Sequence, residues 1–338
     1  MITRRQFVRD IALAGAAGAC GFGRNALAAE APPETTRIRL GKIPSICLAP
    51  QYVAEELLRA EGFREIEYVS FGTGPQAGGV PGAQRMGRGE IDISMNFAAP
   101  LVMALDAGAP IVLLGGIHVG CFEMFATERV RTIKDLKGRT VAILGRNSAQ
   151  HVFLASIATS VGLDPGRDIH WVDHPAAEGK RLLAEGKIDA YLGFPPDPQE
   201  LRAKKVGHLL LNSATDRPWS QYFCCMVSAN QEFARRNPVA TKRALRAILK
   251  GDEVCALDPA RAARAYRDRG FDVPEPLVLQ ALKEVPFGRW RAYDPADTLR
   301  FYALRLHEAG MIKASPQKIL AQGTDWRFLK ELKKELKG

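Results

Sequence analysis

The sequence predicts an α/β protein built as two similar lobes that face each other across a cleft. Three observations carry this expectation. First, one strand-to-helix phrase occurs twice. Gly89-Glu90-Ile91-Asp92 leads to Phe97, and Gly186-Lys187-Ile188-Asp189 leads to Phe194, with glycines, isoleucines, aspartates and phenylalanines all 97 positions apart. Second, strand-like and helix-like runs alternate through both halves, the pattern of mainly parallel sheets covered by helices. Third, two extended passages, 116–127 and 219–229, bracket the second copy, as strands leaving and re-entering one lobe would. A chain of 338 residues with 46% hydrophobic content has room for about two domains.

The elements follow in order. Residues 38–43 read as a strand, and Pro50 sits where a first-turn proline is tolerated, ahead of Val53, Ala54, Leu57 and Leu58 at helical spacing. A strand over 66–71 leads into the glycine-rich loop 72–79 and a short helix near 83–86. The first repeated corner comes next, with a helix from about Pro100 to Gly108 and a strand over 111–114. The middle section repeats the order: a strand over 140–144, Asn147-Ser148 as a helix cap, a helix through Ala158, a strand over 169–172, a helix over 178–184 and the second corner. Helices are expected over 238–255, 259–269, 276–284 and 295–309, and the amphipathic tail 326–334 reads as a packed helix with one solvated face. The expected division is 36–121 plus 222–338 for the first lobe with its C-terminal helices, and 122–221 for the second.

The first 28 residues read as an address. Arg4-Arg5-Gln6-Phe7-Val8 resembles a twin-arginine export signal, an apolar stretch follows, and Ala26-Leu27-Ala28 fits a cleavage site. Cys20 lacks the leucine-like residue expected three positions before a lipidated cysteine, so cleavage is the preferred reading and the periplasm the expected compartment. The net charge of +10 permits anionic partners, but no basic block interleaved with aromatics points to nucleic acid. Cys47, Cys121, Cys224, Cys225 and Cys255 are an odd number without regular spacing, which argues against a disulfide framework and for small buried residues.

Ligands of parallel α/β sheets bind beyond the carboxyl ends of strands, beside helix N-termini whose first N–H groups lack partners. Four such corners can be read, two per lobe: Ser45 and Ile46; Asn96 and Phe97; Ser148, Gln150 and His151 after Arg146; and Phe194. His118 and Trp219 in the crossovers complete the candidate ligand-binding set. Each has a structural alternative. Phe97 and Phe194 either plug the cores or line the cleft; Ser148 is a helix cap in any case; His151 is either a ligand contact or simply exposed; Trp219 is a stacking platform or a buried structural ring. Asp92 and Asp189 are expected to fix strand starts by local hydrogen bonds. Glu123 either meets a ligand N–H or pairs with an arginine. No catalytic motif is present: there is no G-x-S-x-G and no H-E-x-x-H, and His170 and His174 sit in or beside a strand-like run. Gly72-x-Gly74 mimics a dinucleotide fingerprint, but the glycines and proline that follow it break the helix this motif requires. No cofactor and no metal are expected.

The order of leader, Gly-Glu-Ile-Asp strand, His118-Val119-Gly120-Cys121 crossover, Ile133-Lys134-Asp135-Leu136-Lys137-Gly138-Arg139 and second crossover resembles one family over residues 36–310. It is the nitrate/sulfonate/taurine-type substrate-binding proteins of ABC importers, which share a domain with thiamine-pyrimidine synthases. The resemblance implies a type II periplasmic-binding-protein fold and a hinged monomer. It also implies a membrane permease and ATPase as partners, and a small organic solute, anionic, with aromatic acids among the candidates. Two alternatives remain open: a synthase-like enzyme, and a receptor that signals to a membrane protein. The synthase branch uses an iron-binding run of cysteines. Here Cys224-Cys225 is only a pair, in a strand-like passage where neighbours are expected on opposite faces.

Overall fold

Among the described residues, ten strands form two five-stranded sheets. The computed structural model describes residues 30–70 and 79–336; the segment read as an export leader, with Cys20, and the glycine-rich loop through Gly78 lie outside the described residues. The first sheet is built from β1 (Arg37–Lys42), β2 (Glu65–Ser70), β3 (Ile93–Phe97) and β4 (Ile111–Val119), with α1 (Ala49–Ala60), α2 (Val80–Gly87) and α3 (Ala98–Asp106) between them. The second is built from β5 (Glu123–Ala126), β6 (Arg139–Ile143), β7 (Ile169–Asp173), β8 (Ala190–Gly193) and β9 (His208–Asn212), with α4 (Ala149–Ser160), α5 (Ala176–Ala184) and α6 (Asp197–Ala203). β10 (Phe223–Asn230) returns to the first sheet, and seven helices follow: α7 (Gln231–Arg236), α8 (Pro238–Leu257), α9 (Pro259–Arg267), α10 (Glu275–Glu284), α11 (Pro295–Glu308), α12 (Pro316–Gly323) and α13 (Arg327–Glu335).

The two sheets share one topology. Their orders are β2-β1-β3-β10-β4 and β7-β6-β8-β5-β9. In each, the first three strands are parallel and the fourth is antiparallel to both its neighbours. That fourth strand is in each case the one that enters from the other sheet: β5 in the second, β10 in the first. The repeated aspartates perform the same task twice. Asp92 accepts from the Arg39 backbone N–H at 2.7 Å and pairs with the Arg39 guanidinium at 2.6 Å. Asp189 accepts from the Thr140 N–H at 3.0 Å and pairs with Arg129 at 2.6 Å. These bonds reach across to the neighbouring strand, β1 or the start of β6, so they are not the local bonds expected from sequence. They tie each central parallel strand to the one beside it.

The first crossover differs from the single extended passage expected over 116–127. β4 continues to Val119, the chain turns at Gly120 and Cys121, and β5 begins at Glu123. Gly120 has φ +69°, and a Cβ there would lie 2.4 Å from Ala214 of the returning segment, so only glycine fits. Phe122 and Ser213 bond to each other across the same point, Phe122 N–H to Ser213 Oγ at 3.0 Å and Ser213 N–H to the Phe122 carbonyl at 2.9 Å. Both crossovers therefore run side by side. The second begins with a short 3-10 turn, Trp219–Gln221, rather than a strand.

The C-terminal helices cover both sheets. α11 packs on α3 of the first and on α4 of the second. Its Thr298 hydroxyl accepts from the Phe223 N–H at 3.0 Å, and Tyr302 is buried against Phe153. α7 and α12 are helices the sequence pattern did not reveal; both are short. The tail helix α13 buries Phe328, Leu329 and Leu332 and holds the end of the chain to β4 through Asp325 N–H to the Leu113 carbonyl. Among the described residues no helix is long and apolar enough to cross a membrane.

Replacing Asp92 or Asp189 with alanine strands a strand N–H and removes an arginine partner. Each change is expected to cost about 1–3 kcal/mol of stability, by a similar amount at both positions, read as a lowered midpoint in urea denaturation.

Candidate functional site

The carboxyl ends of β3 and β8 meet. Phe97 and Phe194, the last residues of the two repeated phrases, lie ring to ring at 5.3 Å between centroids. Phe122 of the first crossover packs on Phe97 at 5.2 Å and stacks on Phe153 of α4 at 4.6 Å. Phe153 meets Trp219 edge-on at 5.8 Å, and Trp219 meets Phe301 of α11 at 5.4 Å. This chain of rings runs from the first sheet, through the first crossover and the second sheet's helix, to the C-terminal helix. Such pairs add about 0.5–1.5 kcal/mol each beyond the area they bury. All but Phe194 and Phe301 are buried. The two halves also touch at their rims. The Val80 N–H donates to the Asn147 carbonyl at 3.3 Å, and Gln199 of α6 donates to Glu284 of α10 at 2.7 Å. Arg202 binds Glu123 and Glu284 together, which settles the partner of Glu123 as an arginine.

The polar candidates sit at the strand ends and helix starts of the same two sheets. Ser148 caps α4, its Oγ accepting from the His151 N–H at 3.3 Å. Gln150, two residues on, is buried and its Nε2 has no hydrogen-bond partner. A buried amide donor without a partner is costly, and a bound group commonly supplies what is missing. Asn96 uses its Oδ1 on the Phe97 N–H at 2.8 Å. Ser45 and Ile46 are buried in the turn after β1, where the Ser45 hydroxyl lies 3.0 Å from the Cys47 sulfur. His151 is buried rather than exposed. Its Nδ1 accepts from the Asn147 N–H at 3.2 Å and its ring meets Trp171 edge-on at 4.9 Å. Burial, aided by Arg146, lowers its pKa to about 4.

His118 belongs to a different neighbourhood, among the cysteines. Its Nε2 lies 2.9 Å from the Cys47 carbonyl and its Nδ1 3.2 Å from the Val119 carbonyl. Two acceptors facing two ring nitrogens suit the doubly protonated ring. Burial opposes that charge, yet Cys47, then Cys224 and Asp252, raise its pKa to about 9. Asp252 is pushed up to about 7 by burial, against the pull of His118.

Four of the five described cysteines gather here. Cys121 Sγ is 2.9 Å from Cys224 Sγ, Cys225 Sγ is 4.0 Å from Cys224 Sγ, and Cys47 Sγ is 3.9 Å from Cys225 Sγ. They are more than the independent apolar fillers their irregular spacing suggested. The expectation that Cys224 and Cys225 point to opposite faces also fails. Cys225 opposes His118 while Phe223 opposes Val119, so Cys224 is the extra residue of a bulge. A bulge bends the strand and re-aims a side chain, which brings both sulfurs to one side. No periodicity in the sequence signals it.

The neutral state of His151 carries a pH dependence. Its folded pKa lies below the unfolded value near 6.5, so the unfolded chain takes up the proton first as pH falls. The stability from this group is complete above pH 6.5 and is lost between 6.5 and 4, by up to about 3 kcal/mol. The imidazole signal of His151 should titrate near pH 4 by NMR, and His151→Asn should flatten the stability profile in that window. Titration of this ring near 6.5 contradicts the burial assigned to it.

Comparison with known proteins agrees with this architecture. Residues 31–267 match the model of the NMT1-like family. A protein of Escherichia coli (strain K12) named for binding aliphatic sulfonates is 27% identical over 56% of this chain and 58% of its own length. The nitrate/nitrite binding protein NrtA of Nostoc is 21% identical over 68% of this chain and 57% of its own. The match thus spans less than three fifths of these curated relatives. The crystal structure of the periplasmic nitrate-binding protein NrtA from Synechocystis superposes with a TM-score of 0.69 at 16% identity, covering 91% of this chain and 90% of that one. The fold is therefore that of periplasmic binding proteins, and the chain belongs to the NMT1-like family.

Proposed function

We propose that this chain is an exported solute-binding receptor of an ABC importer. It closes two lobes on a small organic anion and presents the closed form to a membrane permease and its ATPase. No bond is made or broken. Two observations support this reading: the meeting of Phe97 and Phe194 at the carboxyl ends of β3 and β8, and, in the first turn of α4, a buried Gln150 amide whose Nε2 has no hydrogen-bond partner. Apolar rings exclude water, and in that setting an amide donor and the N-terminus of α4 bind an anionic oxygen more strongly than they do in water. The names of the relatives, sulfonate and nitrate binders, favour an oxyanion. The aromatic surroundings favour an organic sulfonate or carboxylate over bare nitrate.

The closed arrangement also suits the mechanism. Crossovers bonded side by side at Phe122 and Ser213 leave few residues to absorb a hinge rotation. A ligand that touches both faces favours the closed population by its differential affinity, and the importer reads that population. Periplasmic localisation and the twin-arginine route accord with this role.

A thermal-shift screen of the leader-free protein against alkanesulfonates, arylsulfonates, aromatic carboxylates and nitrate tests the reading. A ligand at 100 times its Kd stabilises by about 2.7 kcal/mol. Gln150→Met keeps the volume and removes the unpaired donor. It is expected to leave the unliganded midpoint unchanged or raised, because an unmet buried donor costs about 1–3 kcal/mol, while removing most of the ligand-induced shift. Full retention of the shift in both Gln150→Met and Phe194→Ala contradicts the proposed site.

A further inference from the structure

The buried thiols have no part in solute capture as proposed, yet three separate segments bring them together. Cys47 comes from the turn after β1, Cys121 from the first crossover, and Cys224 with Cys225 from the start of β10. Three features set this apart from ordinary buried cysteines. The sulfurs form two overlapping groups, Cys121–Cys224–Cys225 and Cys47–Cys225 with His118, each with its ligand atoms within 4.8 Å of one another. Cys121 has φ +134°, a conformation that non-glycine residues adopt only when the surroundings enforce it, and which costs on the order of 1–3 kcal/mol. Finally, β10 carries a bulge at Cys224, without which the two adjacent sulfurs could not share a side. Strain and a bulge both serve to aim sulfur atoms, and Cys255, the remaining described cysteine, lies outside both groups.

We infer that Cys47, Cys121, Cys224 and Cys225 form a binding site for one thiophilic d10 metal ion, Zn2+ or Cu+, at the hinge between the two sheets. Four thiolates at about 2.3 Å from a tetrahedral ion stand about 3.8 Å apart. The separations of 3.9 and 4.0 Å already match, the Cys121–Cys224 pair at 2.9 Å has to open, and Cys47, which groups with Cys225 but not with Cys121 and Cys224 together, has to move in to complete the tetrahedron. That pair also stands well beyond the length of a disulfide, about 2.05 Å. Soft sulfur ligands select Cu+ and Zn2+ over Mg2+ or Ca2+. Each thiol that binds gives up one proton to solvent, so Zn2+ in a four-thiolate site releases four and leaves two negative charges. His118 lies beside Cys47 with each ring nitrogen on a carbonyl oxygen, so it is not counted among the four ligands. The ion would staple the first crossover to the returning strand and to the β1 turn, fixing the floor on which the lobes close. Solute binding is not required for it.

The test uses the full mature chain purified without chelator under reducing conditions. Elemental analysis is expected to find close to one zinc or copper per chain. The stripped protein should take up one equivalent of Zn2+, or of Cu+ from a buffered donor, and the tighter of the two identifies the ion. Stripped protein titrated with Co2+ should develop thiolate-to-cobalt charge-transfer absorption that saturates at one equivalent. Cys121→Ser and Cys224→Ser should weaken uptake at least tenfold, while Cys255→Ser, also buried, retains it and serves as the folding control. No uptake of any of the three ions by folded wild-type protein overturns the inference. So does uptake unchanged in both cluster variants, or a Cys121–Cys224 disulfide in protein that carries no metal.

Discussion

The chain has to pass between its two sheets twice at one place, and the rest of the architecture is arranged around that passage. Gly120 lies so close to Ala214 that no side chain can intervene. The same point carries the Phe122–Ser213 hydrogen bonds, the strained Cys121 and, one turn of chain away, the rings that join the halves. Because both crossovers share one narrow neck, the lobe closure proposed above would turn there and leave each sheet's own hydrogen bonds intact. Packing supplies the opposing force. α11 leans on α3 and α4 together, and Arg202 joins Glu123 of the second sheet to Glu284 of α10.

Two kinds of interior meet at the neck. One is a run of stacked and edge-on aromatic rings. The other is a buried, sulfur-rich cluster in which His118, Asp252 and the thiols influence one another's charge. Low-dielectric surroundings strengthen each of these interactions and make any unpaired member expensive. The first interior suits a ligand that comes and goes, since rings close over a guest without directional bonds. The second suits a resident, since its groups are held by backbone strain and by a bulge.

Much of the fold was legible in the chain. Alternating strand and helix patterns gave two mixed sheets, and the Gly-x-Ile-Asp phrase marked the equivalent central strand in each. The aspartates show why such a phrase recurs. A carboxylate at the start of a central strand can satisfy its neighbour's N–H and an arginine at once, and the same solution works in both sheets. The C-terminal α7 and α12 were not legible, because short helices held by tertiary packing carry weak periodicity. Nor was the exact end of β4, since a glycine inside an apolar run reads the same whether the strand continues or turns.

The candidate site divides in a similar way. Corner residues such as Ser148, Phe97 and Phe194 are recognisable because helix caps and strand ends leave local signatures. The placement of His118 among thiols is not, and neither is the gathering of Cys47, Cys121, Cys224 and Cys225, which are separated by up to 178 positions. What the sequence alone determined was local: which segments are strands, where helices begin, and that one corner is made twice. Which distant side chains share a space was decided only by tertiary structure. Sheet order, a bulge and a turn with positive φ set the direction of each Cβ, and none of the three has a period that one-dimensional patterning can carry.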